Sequence, residues 1–416
     1  MPHSAPSPAK PPHLGQRLGP RPLPLNLMTA ANLYLSSNAA LPLLRNGSLS
    51  WSPSLEKAGK SLLSDFRKAN PEQLATRVER LSRARAANFV TGLERYRHHP
   101  YVRDLEDPPE LWAEGATRLL DFGSENESTP VLLIPSLINR YYILDLNEER
   151  SFVRWLATKG FRPFVVDWGS PGPEERRFTI SDYILRLERA LDRIADATGG
   201  APISVVGYCM GGLLAMSLAL RNQEMVSGLV LLATPWDFHA EASEQAEMLA
   251  QVGVGLEPLL GLFGELPVDL LQTLFSGLDP LLVERKFVSF AAMDPEASEA
   301  IAFVALEDWV NDGVPLAAPV ARECFADWYG ANSPVQGRWI VDGDAVDPAR
   351  FGKPALVVVP SADRIVPPKS ASALAEALPQ ATRLQPSAGH IGMMVGGKAQ
   401  QKMWHPVAEW LAGLSE

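Results

Sequence analysis

Two cysteines in 416 residues, 115 positions apart at Cys209 and Cys324, are too few and too distant to staple a small secreted fold or to build a zinc site. A reducing, cytoplasmic setting is therefore the expectation. Basic charge is also scarce. Thirty-eight Lys and Arg face 48 Asp and Glu, a net charge of −10, which argues against nucleic-acid binding. No apolar run is expected to reach the ~18–20 residues of a membrane-spanning helix. The first 55 residues contain no acidic side chain, and residues 1–24 hold eight prolines. Without an apolar segment before a cleavage site, a signal peptide is not expected. So much proline also opposes the amphipathic helix of a transit peptide, and residues 1–26 are expected to be a disordered tail.

What is present reads in blocks. Residues 27–117 read as a helical extension. In Gln73 to Tyr96, Leu74, Val78, Leu81 and Ala84 recur every three or four positions, then Ala86, Phe89, Leu93 and Tyr96, with Asn70-Pro71 as the break and cap before them. From residue 130 short β-branched runs alternate with helical segments: Val131–Ile134, Pro163–Val166, Ile203–Val206, Leu229–Leu232 and Ala355–Val359. That alternation implies an α/β fold with a doubly wound, mostly parallel sheet covered on both faces. Its core is expected over 118–235 and 354–416. The intervening 236–353 read mainly helical and form a cap or lid inserted over the strand ends.

The chemistry concentrates at Gly207-Tyr208-Cys209-Met210-Gly211, between a buried strand and an alanine-rich helix. That context belongs to a nucleophile elbow, with cysteine where serine is commoner. Acid and base follow in chain order. Asp363 lies just past Ala355–Val359, and His390 follows 27 residues later between Gly389 and Gly392. Cys209 reads as nucleophile, His390 as base and Asp363 as the group that orients it. Cys324 reads as a structural thiol. An oxyanion hole needs two N–H donors; Met210 supplies one, and the loop Pro135–Arg140 the other, with Ile138 expected and Leu137 next. No P-loop, dinucleotide fingerprint or metal-ligand cluster is present in the sequence, so no cofactor is expected.

These residues, together with Ile138-Asn-Arg-Tyr-Tyr-Ile-Leu-Asp-Leu146, Asp167-Trp-Gly169 and Trp309-Val-Asn-Asp-Gly-Val-Pro-Leu316, resemble the polyhydroxyalkanoate synthases over residues 90–415. The resemblance implies an α/β-hydrolase fold and an acyltransferase that polymerises (R)-3-hydroxyacyl-CoA thioesters, with CoA thioester as substrate rather than cofactor. It implies Cys209, Asp363 and His390 as the catalytic set, a growing polyester chain or granule surface as partner, and kinship with the short class that works with a separate helical subunit. A homodimer is the base-rate expectation. A thioesterase or an intracellular polyester depolymerase with the same triad is the alternative, because fold and triad do not separate transfer from hydrolysis.

Overall fold

The computed structural model describes residues 17–49, 51, 55–123, 129–241 and 243–414. Most of the proline-rich tail, residues 1–16, lies outside them. The main sheet has eight strands: β1 (Glu110–Glu114), β2 (Thr117–Asp121), β3 (Thr129–Ile134), β4 (Phe161–Asp167), β5 (Ile203–Tyr208), β6 (Val226–Leu232), β7 (Ala355–Val358) and β8 (Ala381–Leu384). Their order is β1-β2-β4-β3-β5-β6-β7-β8. β1 and β2 pair antiparallel with each other, β2 pairs antiparallel with β4, and the other neighbours run parallel. The continuous apolar runs seen in the sequence are the central strands: every residue of β5 and β7 is buried. The antiparallel edge was not expected. β1 and β2 fall in or beside the segment read as helical, because Glu110, Glu114 and Arg118 interrupt any apolar run.

Helices α1 (Leu23–Asn46), α2 (Glu56–Lys68) and α3 (Pro71–Arg97) precede the sheet. α1 starts four residues inside the stretch expected to be disordered, with prolines at its first turn, where the missing N–H costs nothing. Between strands run α4 (Phe152–Ala157), α5 (Ile180–Ala197) and α6 (Met210–Arg221). A reciprocal Thr179–Asp182 capping box opens α5.

The insertion between β6 and β7 carries α7 (Ser243–Phe263), α8 (Val268–Ser276), α9 (Leu282–Phe290), α10 (Ser298–Asn311) and α11 (Ala318–Glu323). A π-helical turn, Cys324–Gly330, follows. α7 is long and apolar enough by length and composition to cross a membrane, which the sequence reading missed because Glu247 and Glu257 break its apolar run. Little of it is buried.

Packing divides the chain into two compact units, and it does so differently from the boundaries read in the sequence. One unit joins the residues up to Val102 with Gln272–Asn311; the other joins Arg103–Leu271 with Asp312 onward. The insertion is thus not one body. In the first unit Phe89, Leu93 and Tyr96 of α3 share a core with Phe287 and Phe290 of α9 and Val304 of α10. Gly92 lets the backbones approach: a Cβ there would collide with the Phe287 carbonyl. Later helices are α12 (Pro368–Ala377), α13 (Gly392–Val395) and α14 (His405–Ala412).

Candidate active site

Cys209 sits between β5 and α6 with φ 55° and ψ −125°, a conformation that a non-glycine residue adopts only under strain. The surroundings enforce it. The Cys209 N–H donates to the Leu232 carbonyl at 2.8 Å, and the Cys209 carbonyl accepts from Gly212 N–H at 2.9 Å. A Cβ on Gly212 would fall on Thr234 Oγ1, and one on Gly211 on the carbonyl of Ile134. Glycine after the cysteine is therefore demanded by close approach to β3 and to the end of β6.

The loops after β7 and β8 deliver the partners. His390 Nδ1 lies 2.7 Å from Asp363 Oδ2, and both side chains are buried. Asp363 is an acceptor, so Nδ1 donates, leaving Nε2 for Cys209. The second carboxylate oxygen, Oδ1, accepts from the N–H groups of Ile365 and Val366 at 2.8 and 2.9 Å, which fixes the carboxylate's orientation. Burial disfavours an imidazolium at His390. The negative charge of a Cys209 thiolate, with hydrogen bonds that His390 donates to Asp363 and Cys209, outweighs it and raises the imidazole to about 10. The three residues read from the sequence are thus brought together.

The expected oxyanion donors fare differently. Met210 N–H lies at the first position of α6, where no intrahelical partner exists. The Ile138 N–H donates to Ser136 Oγ at 3.2 Å, so it can serve an oxyanion only by giving up that bond. Two motifs of the resemblance meet at the same loop. The Ile138 carbonyl accepts from Val314 N–H at 2.9 Å, Asn139 bridges Gly313, and the Tyr142 hydroxyl donates to Asp312 at 2.9 Å. Trp168 Nε1 donates to the Pro135 carbonyl at 3.0 Å. The flanking Asp167 holds Arg118 at 2.6 Å, and buried Asp145 holds Arg103 and Arg154 at 2.7 and 2.8 Å. These motif residues shape and brace the loop beside the nucleophile.

Sequence reasoning missed two tyrosines. The Tyr208 ring lies 5.2 Å from the His390 imidazole, and its hydroxyl donates to the His390 carbonyl at 3.4 Å. Burial and the charges of Cys209 and Asp363 push its phenol well up, so it remains a neutral donor. Its place inside the G-x-C-x-G string was the available signal. Tyr329, in the π-helical turn, is raised by burial and by the charges of Cys324 and Cys209. His239, which follows β6, donates from Nε2 to the Tyr329 carbonyl at 2.7 Å and so pins that turn. Among the described residues, no group of three His, Cys, Asp or Glu side chains is arranged to hold a metal.

Residues 129–397 match the family model of the alpha/beta hydrolase fold. The chain belongs to that family. Its strand order and elbow agree with the fold expected from the sequence. The chain is 30% identical over 315 residues to the poly(3-hydroxyalkanoate) polymerase subunit PhaC of Haloferax mediterranei, a match covering 74% of this chain and 64% of that protein. It is 30% identical to the Haloarcula marismortui protein of the same name, covering 69% and 61%. The subunit from Allochromatium vinosum is 29% identical, covering 69% and 81%. The chain thus spans a little over three fifths of the first two relatives. These relatives bear out the resemblance read from the motifs. Among solved structures, a monoacylglycerol lipase from Paleococcus ferrophilus aligns with a TM-score of 0.47 at 17% identity, over 72% of this chain and 99% of that one.

Proposed function

We propose that this protein is a polyhydroxyalkanoate synthase that polymerises (R)-3-hydroxyacyl-CoA thioesters through an acyl-cysteine. The observation that carries the reading is a cysteine, rather than a serine, on a strained elbow beside an imidazole oriented by a buried carboxylate. Similarity to polymerase subunits supports it.

In this reading His390 takes the Cys209 proton and the thiolate attacks the thioester carbonyl. The oxyanion is held by the Met210 N–H and by the loop carrying Ile138. The bond to the CoA sulfur breaks, and His390 returns the proton to CoA. One thioester has replaced another at little free-energy cost, so the acyl group stays activated. His390 then removes the proton from the 3-hydroxyl of a chain end or second monomer, the oxygen attacks the acyl-cysteine, and the thiolate leaves. Asp363 keeps the imidazole in the productive tautomer throughout. No step calls for a cofactor. Transfer rather than hydrolysis requires that water be kept from the acyl-cysteine. Leu259, Leu262 and Phe263 on α7 are exposed rather than packed into a core, which suits an apolar polyester product and residence at a granule surface in the cytoplasm. A homodimer and a separate helical partner subunit belong to the same proposal.

The test is CoA release from (R)-3-hydroxybutyryl-CoA, with products separated by size. CoA release with insoluble polyester, both lost in Cys209→Ala, is the expected result. Stoichiometric free 3-hydroxybutyrate would overturn the synthase reading in favour of a hydrolase.

A further inference from the structure

The N-terminal helices carry charge of the opposite sign to the chain. Residues 55–85 hold eight Lys or Arg and four Asp or Glu, within a protein of net charge −10. They comprise α2 and the first half of α3, joined where the Asn70 side chain caps the N–H groups of Glu72 and Gln73 at 3.0 and 3.1 Å. No residue from Lys60 to Asn88 is buried. The second half of α3 is different, since Phe89, Leu93 and Tyr96 lie in the core shared with α9.

The uncovered half is nevertheless patterned. Leu62, Leu63 and Phe66 of α2, and Leu74, Val78 and Leu81 of α3, recur at helical spacing. Leu62 is 40% and Leu81 is 56% exposed. Lys57, Arg67, Lys68, Arg77 and Arg80 are exposed alongside them. An amphipathic helix gains most of its stability by covering its apolar stripe; here Leu63, Phe66, Leu74 and Val78 are half-buried, and Leu62 and Leu81 remain exposed. Each stripe has three residues, and Asn70-Pro71 interrupts the pair. A partner helix in a coiled coil needs a seam sustained over about three or four heptads, so that occupant fits poorly. Short leucine stripes flanked by cations match an interface with anionic head groups above and apolar depth beneath.

We propose that residues 55–85 dock this protein on an anionic phospholipid surface, with Leu62, Phe66 and Leu81 in the interface and Arg67, Lys68, Arg77 and Arg80 at the head groups. The chemistry at Cys209 plays no part, so the Cys209→Ala variant binds as the parent does, and failure of the synthase reading would leave this proposal untouched.

Flotation of the full-length protein with vesicles tests it, using phosphatidylcholine with or without phosphatidylglycerol at low and high salt. The expected result is binding that needs phosphatidylglycerol and weakens with salt. Each cation near the surface contributes about fivefold. The variant Arg67→Glu/Lys68→Glu/Arg77→Glu/Arg80→Glu should therefore lose on the order of 100-fold or more in affinity while releasing CoA from a soluble substrate as the parent does. Circular dichroism of that variant guards against misfolding, and the milder set of Gln substitutions at the same positions should give an intermediate loss. Absence of parent binding to phosphatidylglycerol vesicles would overturn the proposal. So would equal binding to pure phosphatidylcholine at high salt, or charge reversal that leaves lipid binding intact and instead changes the mass of the protein in solution, which would assign the stripe to a second protein chain.

Discussion

Cys209 and Cys324 are both half-buried residues at the start of a helical turn, and both have carboxylate-bearing neighbours. Their surroundings differ in sign. At the elbow, the carboxylate of Asp363 reaches the cysteine only through His390, an imidazole that holds its proton strongly. In the π-helical turn burial, Glu323 and Asp327 push the Cys324 thiol well up. Burial likewise raises Glu323 to about 7. At Cys324 burial is the leading effect, and the negative charge facing the sulfur adds to it. Backbone strain divides the sites in the same way, with positive φ at Cys209 and ordinary helical geometry at Cys324.

The sharpest way to break this comparison is to remove each sulfur in turn. Cys209→Ala is expected to lower CoA release by on the order of 10⁴-fold or more, whereas Cys324→Ala should stay within about twofold. Release is followed by a thiol-reactive dye, and comparable losses in the two variants would end the distinction. NMR titration of the first variant should also find the His390 imidazole below its parent value, because the leading charge that raises it has gone.

Asp363→Asn probes how the elbow's carboxylate acts. An amide can stabilise the wrong imidazole tautomer, so turnover should fall by about 10²–10⁴-fold with the fold intact by circular dichroism. Gly212→Ala tests the geometry alone. Its methyl group would fall on Thr234 Oγ1, and a stability loss of about 1–3 kcal/mol in urea unfolding is expected.

The smallest effect belongs to the π-helical turn. Glu323 keeps its proton in the folded state up to about pH 7, while the unfolded chain releases it near the ordinary 4.5. The native state therefore binds more protons between those values, and stability falls as pH rises through that window. Glu323→Gln should flatten that slope, measured by denaturant midpoints across the window, and a slope unchanged by the substitution would remove Glu323 from the account.

Cys209 and Asp363 were legible because each follows a buried strand whose apolar run, 203–206 or 355–359, marks its end, and His390 because glycines flank it 27 residues after Asp363. Tyr208 carried a signal in its place inside the G-x-C-x-G string, whereas Tyr329 has no periodic signature that separates core from site. The oxyanion loop shows the same limit. Its position after β3 could be read, but the Ser136–Ile138 hydrogen bond depends on backbone torsions that no spacing encodes. The edge strands β1 and β2 were missed because charged residues interrupt them, and pairing with β4 rather than local propensity makes them strands.

Periodicity and turn chemistry are local, so the chain by itself determined the α/β alternation, the elbow, and the order of nucleophile, acid and base. The tertiary structure alone decided which helices share a core. The 236–353 segment reads as one helical insertion, yet α9 and α10 join α3 through Gly92, Phe287 and Phe290, while α7 and the π-helical turn remain with the sheet. The physical reason is that an apolar helix face specifies that it must be covered but not by what. Only the packing of side chains far apart in sequence selects the partner.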